Sequence, residues 1–90
     1  MSSSVGSWSD FQAPLTEEAR NVFDAAFAGF TGVGYTPVAF ATQVVSGYNY
    51  LYLTNSQVVY PGGSRGFAFV EIYAPATGNP KITAIKPITP

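Results

Sequence analysis

The side chains that carry most enzyme chemistry are scarce in this 90-residue chain, which has no Cys and no His. Without them it has no thiol nucleophile, no imidazole base and no zinc-finger ligand set. The adjacent carboxylates Glu17 and Glu18 lie about a quarter turn apart on a helix, so they do not flank a substrate as an acid and base pair. The sequence therefore predicts a protein that is not an enzyme and that uses no metal or other cofactor.

Residues 65–72, Arg-Gly-Phe-Ala-Phe-Val-Glu-Ile, match at all but the last position the pattern by which RNA-recognition motifs stack unpaired bases on aromatic rings. Two observations argue against RNA binding. Residues 73–90 leave no room for the second helix of that fold. In addition, four basic against five acidic residues give a net charge of −1, which is unfavourable for binding phosphates. We therefore expect no nucleic-acid partner.

Length and composition describe one small domain. The 90 residues leave room for a single core, and 47% of them are hydrophobic, which is enough to pack it. The first residues lack the basic start and apolar stretch of a signal peptide, and no apolar segment is long enough to span a bilayer. We therefore expect a soluble, cytoplasmic domain over residues 1–90 with no membrane partner.

The first 13 residues differ in composition from the rest of the chain. They are rich in Ser and have no regular period, so residues 1–13 are expected to form a mobile arm. Trp8 and Phe11 are its large apolar residues. These two side chains either fold back onto the domain or dock on a partner, and the sequence leaves both interpretations open.

A helix followed by strands is predicted after the arm. From Leu15 to Phe30, apolar residues recur every three or four positions, which predicts one amphipathic helix. Thr16 caps its start, and glycines from Gly29 onward end it. Alternating patterns between Gly, Pro and Asn signals then predict strands near 38–44, 47–55, 66–73 and 80–86, with turns at 60–64 and 75–80. This order predicts an α+β fold in which an antiparallel sheet of four to five strands wraps one N-terminal helix.

Alternation within the strands shows which residues share a face. Tyr48, Tyr50 and Tyr52 lie on one side of their strand, and we expect them on the outer face of the sheet. Phe67 and Phe69 likewise share a side, and we expect them to cover the apolar stripe of the helix.

Residues 43–47, Gln-Val-Val-Ser-Gly, predict a tight hairpin with apolar side chains at its apex. Val44 and Val45 come just before Gly47, which permits a sharp bend. Apolar side chains at an exposed hairpin tip are costly unless a partner covers them. The alternative is that both valines are ordinary strand residues, one of them pointing inward.

This segment resembles the Gln-x-Val-x-Gly signature of the cystatins, which inhibit papain-like cysteine proteases. The next residues, Tyr-Asn-Tyr-Leu-Tyr-Leu at 48–53, are similar to the strand that leaves that loop in the stefins, the disulfide-free branch. The likeness runs from about 14 to 88 in the same order of elements. Ala74 and Pro75 stand where stefins have a Leu-Pro pair, and Gly6 corresponds to their N-terminal glycine.

The resemblance implies a reversible inhibitor that blocks a protease cleft by its shape, with a wedge made of the arm and two hairpin tips. The residues that it implies for protease binding are Gly6, Gln43, Val44, Val45, Ser46, Gly47, Ala74 and Pro75. A monomer is expected, and a domain-swapped dimer formed by opening the signature hairpin stays an alternative. Because Ala74 shortens the second tip and the arm is unusual, the alternative function is a non-inhibitory cystatin-fold module that binds another protein.

Overall fold

A computed structural model describes residues 6–58 and 65–88. Its elements follow in the order α1 (Glu17–Ala26), β1 (Val33–Val45), β2 (Gly47–Val58), β3 (Arg65–Ala74) and β4 (Lys81–Ile88). The strands form one antiparallel sheet in the order β1-β2-β3-β4, and α1 packs on one of its faces. The predicted α+β architecture of one helix on an antiparallel sheet is confirmed. The turn predicted at 60–64 lies outside the described residues.

The helix is shorter than its apolar pattern predicts. Thr16 caps it as expected, because the Thr16 hydroxyl accepts a hydrogen bond of 3.1 Å from the Ala19 amide. The helix ends at Ala26, and a tight turn follows in which Gly29 adopts a φ of +82°. Phe30, counted in the apolar stripe, therefore lies beyond the helix and stays exposed.

Strand β1 begins at Val33, five residues before the predicted start at 38. Gly34 and Pro37 weaken the sequence signal, because both residues are depleted in strands. The structure accommodates Pro37 at a shift in the pairing between β1 and β2. A proline is tolerated at such an irregularity because its missing N–H then breaks no regular ladder.

The assignment of faces in β2 and β3 is the main error of the sequence-based prediction. Tyr50 and Tyr52 are buried against the helix, rather than lying on the outer face. Phe67 and Phe69 do not cover the helix, because their neighbours in β3, Val70 and Ile72, occupy the core instead. We call the face that turns away from the helix the open face. Both sides of β2 and β3 carry large apolar residues, so alternation alone does not tell which side meets α1.

Tyr52 shows why a tyrosine is tolerated in this core. Its side chain is fully buried, and its hydroxyl donates a hydrogen bond of 2.7 Å to the Ala19 carbonyl of α1. A buried hydroxyl without a partner would be costly, so this bond determines which end of the ring faces the helix.

Burial of Tyr52 predicts a loss of stability in alkali. Burial, followed by the charges of Tyr50 and Asp24, raises the pKa of the Tyr52 phenol well above its ordinary value of 10.0. Above pH 10 the unfolded chain therefore releases this proton while the folded chain keeps it, which favours unfolding. We expect the free energy of unfolding to fall by up to about 1.4 kcal/mol per pH unit from this group. Urea unfolding from pH 8 upward measures the fall, and it should be smaller in Tyr52→Phe; an equal fall in both proteins would contradict the assignment.

The described part of the N-terminal arm lies along the free edge of β1. The Ser9 amide donates to the Thr42 carbonyl at 2.8 Å, and Gln12 and Phe40 exchange two backbone hydrogen bonds. On the open face, the ring of Phe11 lies 6.2 Å from that of Phe69. The Phe11 side chain therefore folds back onto the domain, which is one of the two interpretations that the sequence leaves open. The mobility of the arm stays a prediction.

Candidate functional site

Residues 43–47, Gln-Val-Val-Ser-Gly, form the tip of the hairpin between β1 and β2. Val45 pairs with Gly47, and Ser46 is the single residue between the two strands. Val44 is 40% exposed and Val45 is half-buried, so neither side chain lies deep in the core. The tip therefore presents apolar surface to solvent, while both valines belong to strand β1, as in the alternative interpretation.

Gly47 brings this hairpin against the corner between β3 and β4. Its φ is +104°, a conformation that side chains rarely adopt. A Cβ atom placed on Gly47 would lie 2.5 Å from the Ala74 carbonyl oxygen and 3.0 Å from the Pro75 Cα. Only a residue without a side chain fits in this contact. Gly47 therefore lies directly against the corner between β3 and β4.

The arm reaches the same hairpin from the other side. The Gly6 amide donates a hydrogen bond of 3.2 Å to the Val44 carbonyl, and the Gln43 Nε2 donates one of 2.7 Å to the Gly6 carbonyl. Asn49 Nδ2 donates in turn to the Gln43 Oε1 at 2.8 Å. A chain of side-chain and backbone hydrogen bonds thus connects the arm, β1 and β2 across the open face.

Two further hydrogen bonds hold the hairpin tip and the neighbouring arm in place. Ser9 accepts a hydrogen bond of 2.9 Å from the Thr42 amide through its hydroxyl, which fixes the arm one step away from Gln43. The Tyr73 hydroxyl donates to the Ser46 carbonyl at the apex of the hairpin. Sequence reasoning missed Ser9, Asn49 and Tyr73 as supporting residues, because each bonds a residue that lies at least six positions away in the chain.

The structure gathers all the sequence-predicted site residues at one end of the sheet, in the order arm, first hairpin, second corner. These residues are Gly6, Gln43, Val44, Val45, Ser46, Gly47, Ala74 and Pro75. A groove of about 530 Å³ opens beside the first hairpin and the corner between β3 and β4. Its lining residues include Val22, Val44, Tyr48 and Pro75. Its walls are mainly apolar, so this end of the molecule is suited to contact an apolar partner surface.

Among residues 6–58 and 65–88, no group of three or more acidic, His or Cys side chains is placed to hold a metal ion. The described chain also contains no helix long and apolar enough to cross a membrane. What the site offers is a row of apolar tips held in place by backbone and amide hydrogen bonds.

Comparison with known proteins does not identify the chain. No protein-family model, curated protein or solved structure matches it.

Proposed function

We propose that this protein is a reversible, steric inhibitor of papain-like cysteine proteases, with a cystatin-like fold. The observation that carries the proposal is the alignment of three chain segments at one end of the sheet. Gly6 is hydrogen-bonded to Val44, and Gly47 lies against Ala74. Because these contacts join segments far apart in sequence, they build a continuous ridge from separate pieces.

The ridge suits a protease cleft because it carries apolar side chains that are still partly exposed to water. Val44, Val45 and Pro75 would each leave water on insertion, and a fully covered valine contributes roughly 1.5–3 kcal/mol. An interface of about 800 Å² on each partner is typical of protease–inhibitor complexes. A few well-buried tips can therefore supply most of the binding free energy.

The ridge is already ordered in the free protein, and this order favours tight binding. Segments that are already held in the bound geometry lose less conformational entropy on association. Here Gln43 holds the carbonyl of Gly6, and Tyr73 holds the carbonyl of Ser46. The inhibition needs no nucleophile in the inhibitor, which agrees with a chain that contains neither Cys nor His.

Replacement of Val44 with aspartate tests the proposal. We expect the wild-type protein to inhibit papain, and Val44→Asp to raise the inhibition constant about 10- to 100-fold, because a charge would enter an apolar cleft. The measurement is a titration of papain activity with a fluorogenic peptide substrate.

Val38→Asp is the matched control for this substitution. Val38 lies in the same strand and is 38% exposed against 40% for Val44, but it lies six positions before Val44 and so away from the hairpin tip. We expect its inhibition constant to match that of the wild type. A wild-type protein that leaves papain fully active at about 10 µM, or equal losses in both variants, would refute the proposal.

A further inference from the structure

The open face carries a second unusual feature, at the end of the sheet opposite to the hairpin tips. Phe67 is 52% exposed, the largest exposed fraction among the large apolar side chains of the described residues. Its cross-strand neighbours are Asn55 in β2 and Ile88 in β4, and Arg65 precedes it by two positions on the same face. An aromatic ring of this exposure, with a cation and an amide beside it, is a platform on which a planar ligand can stack.

A shallow polar groove adjoins this ring. It has a volume of about 390 Å³, and its lining includes Gly34, Thr36, Asn55, Gln57 and Arg65. The groove is open because Gly34 has no side chain and Thr36 has a small one on the outer strand β1. The amide and guanidinium groups around it can donate and accept hydrogen bonds, in contrast to the apolar walls of the groove at the hairpin tips.

Charges are segregated between the two sides of the molecule. Of the four basic residues, three lie on the open face, as the strand pairing shows: Arg65, Lys81 and Lys86. The helix on the other side carries three of the five acidic residues, which are Glu17, Glu18 and Asp24. Glu71 is the acidic residue that the strands place on the open face, and the fifth acidic residue, Asp10, lies in the arm. Although the net charge is −1, basic residues therefore outnumber acidic residues on the strands of the open face.

We propose that this part of the open face binds single-stranded nucleic acid. One unpaired base stacks on Phe67, its phosphates lie near Arg65 and Lys86, and its polar edge meets Asn55 in the neighbouring groove. The sequence pattern at 65–72 is the one that supplies stacking rings in RNA-recognition motifs. Our expectation of no nucleic-acid partner rested on the missing second helix and on the net charge. We also expected Phe67 and Phe69 to cover the helix, and the structure places them on the open face instead.

The site is separate from the proposed protease-binding end. Phe67 and Ala74 are seven positions apart along β3, which corresponds to roughly 23 Å in an extended strand. Phe69 is partly covered by Phe11, so Phe67 is the main stacking ring. With one free ring and few cations, we expect weak binding, with a dissociation constant of about 10–100 µM at low salt.

Fluorescence anisotropy of a fluorescein-labelled octauridylate RNA tests this proposal. We expect the wild-type protein to bind the RNA, and Phe67→Ala to raise the dissociation constant about 10-fold, because stacking on the ring is lost. Phe30→Ala is the matched control, since Phe30 is also an exposed phenylalanine but lies in the loop after the helix. It should bind the RNA as the wild type does, and thermal unfolding checks that both variants are folded.

A second pair of variants tests the role of charge. Arg65→Gln should weaken binding and reduce its dependence on salt. Arg20→Gln, which removes a basic residue of the helix, should leave both unchanged. The proposal is wrong if the wild-type protein does not bind the RNA at about 1 mM, or if Phe67→Ala binds as tightly as Phe30→Ala. Equal binding of duplex RNA or of free uridine monophosphate would also refute a single-stranded ligand. Papain inhibition is not part of this readout, so the two proposals fail independently.

Discussion

Gly47→Ala should lower the free energy of unfolding by about 2–4 kcal/mol, and it should weaken any inhibition of papain by the protein that remains folded. Two costs add at this position. The φ of +104° is strained for alanine, and the new Cβ would lie 2.5 Å from the Ala74 carbonyl oxygen. Because backbone atoms form the contact, the β3–β4 corner has to move away from the first hairpin. Urea unfolding measures the first effect, and titration of papain measures the second.

Gly32→Ala separates the two costs. Gly32 has a similar φ of +98°, but a Cβ atom there would meet no heavy atom within 4 Å beyond its two chain neighbours. We expect this variant to lose about 1–2 kcal/mol from backbone strain alone and to inhibit papain as the wild type does. If Gly47→Ala were no less stable than Gly32→Ala, the contact between the two corners would contribute nothing to the fold.

Local sequence patterns predicted the elements well and the ends of the elements poorly. The cap at Thr16 and the bend at Gly47 follow from residue types whose conformational preferences are strong. The early start of β1 was missed because Gly34 and Pro37 weaken the strand pattern. The antiparallel sheet tolerates both residues, since pairing with β2 supplies a stabilisation that local propensity does not describe.

The orientation of the sheet could not be predicted from alternation. Tyr50 and Tyr52 alternate with Leu51 and Leu53, so both sides of β2 are apolar enough to face a helix. The side that does so is the one where a hydroxyl finds a partner, because Tyr52 bonds the Ala19 carbonyl. That partner belongs to an element 33 residues earlier, and no local pattern contains it.

The candidate site was predicted in its residues but not in its connections. The tip at 43–47 was visible because two adjacent valines lie just ahead of Gly47. The hydrogen bond between Gln43 and Gly6 spans 37 positions, and it exists because the arm pairs with β1. A Ser-rich segment gives no sequence signal for such pairing, since its few apolar residues have no regular period.

Pairing by the arm also protects an exposed sheet edge. A chain with 47% hydrophobic residues and free strand edges would risk pairing with other chains. At one edge, Ser9 and Gln12 occupy backbone groups of β1. At the other edge, β4 contains Lys81, Lys86 and Pro87, residue types that discourage the addition of a further strand. The arm thus contributes to the ridge at the hairpin tips and also occupies backbone groups at the edge of β1.

Phe23→Ala should have the largest effect on stability of any substitution considered, a loss of about 3–5 kcal/mol. Phe23 is 4% exposed, and its ring lies 4.5 Å from that of Phe27 and 4.9 Å from that of Tyr52. It is therefore the main link between the helix and the centre of the sheet. A domain of this size has about 5–13 kcal/mol in total, so the loss is a large share of its stability.

Thermal unfolding followed by circular dichroism measures this loss, and Phe30→Ala again supplies the matched control. Phe30 is 43% exposed and contacts the rings of Phe27 and Tyr35 at the edge of the core, so its removal should cost about 1 kcal/mol or less. At roughly 4–8 °C per kcal/mol, Phe23→Ala should lower the melting temperature by at least about 12 °C. If both variants melted together, burial of Phe23 against Tyr52 would not be what holds the helix on the sheet. The groove beside the hairpin tips depends on the same packing, because Val22, the residue next to Phe23, forms part of its wall.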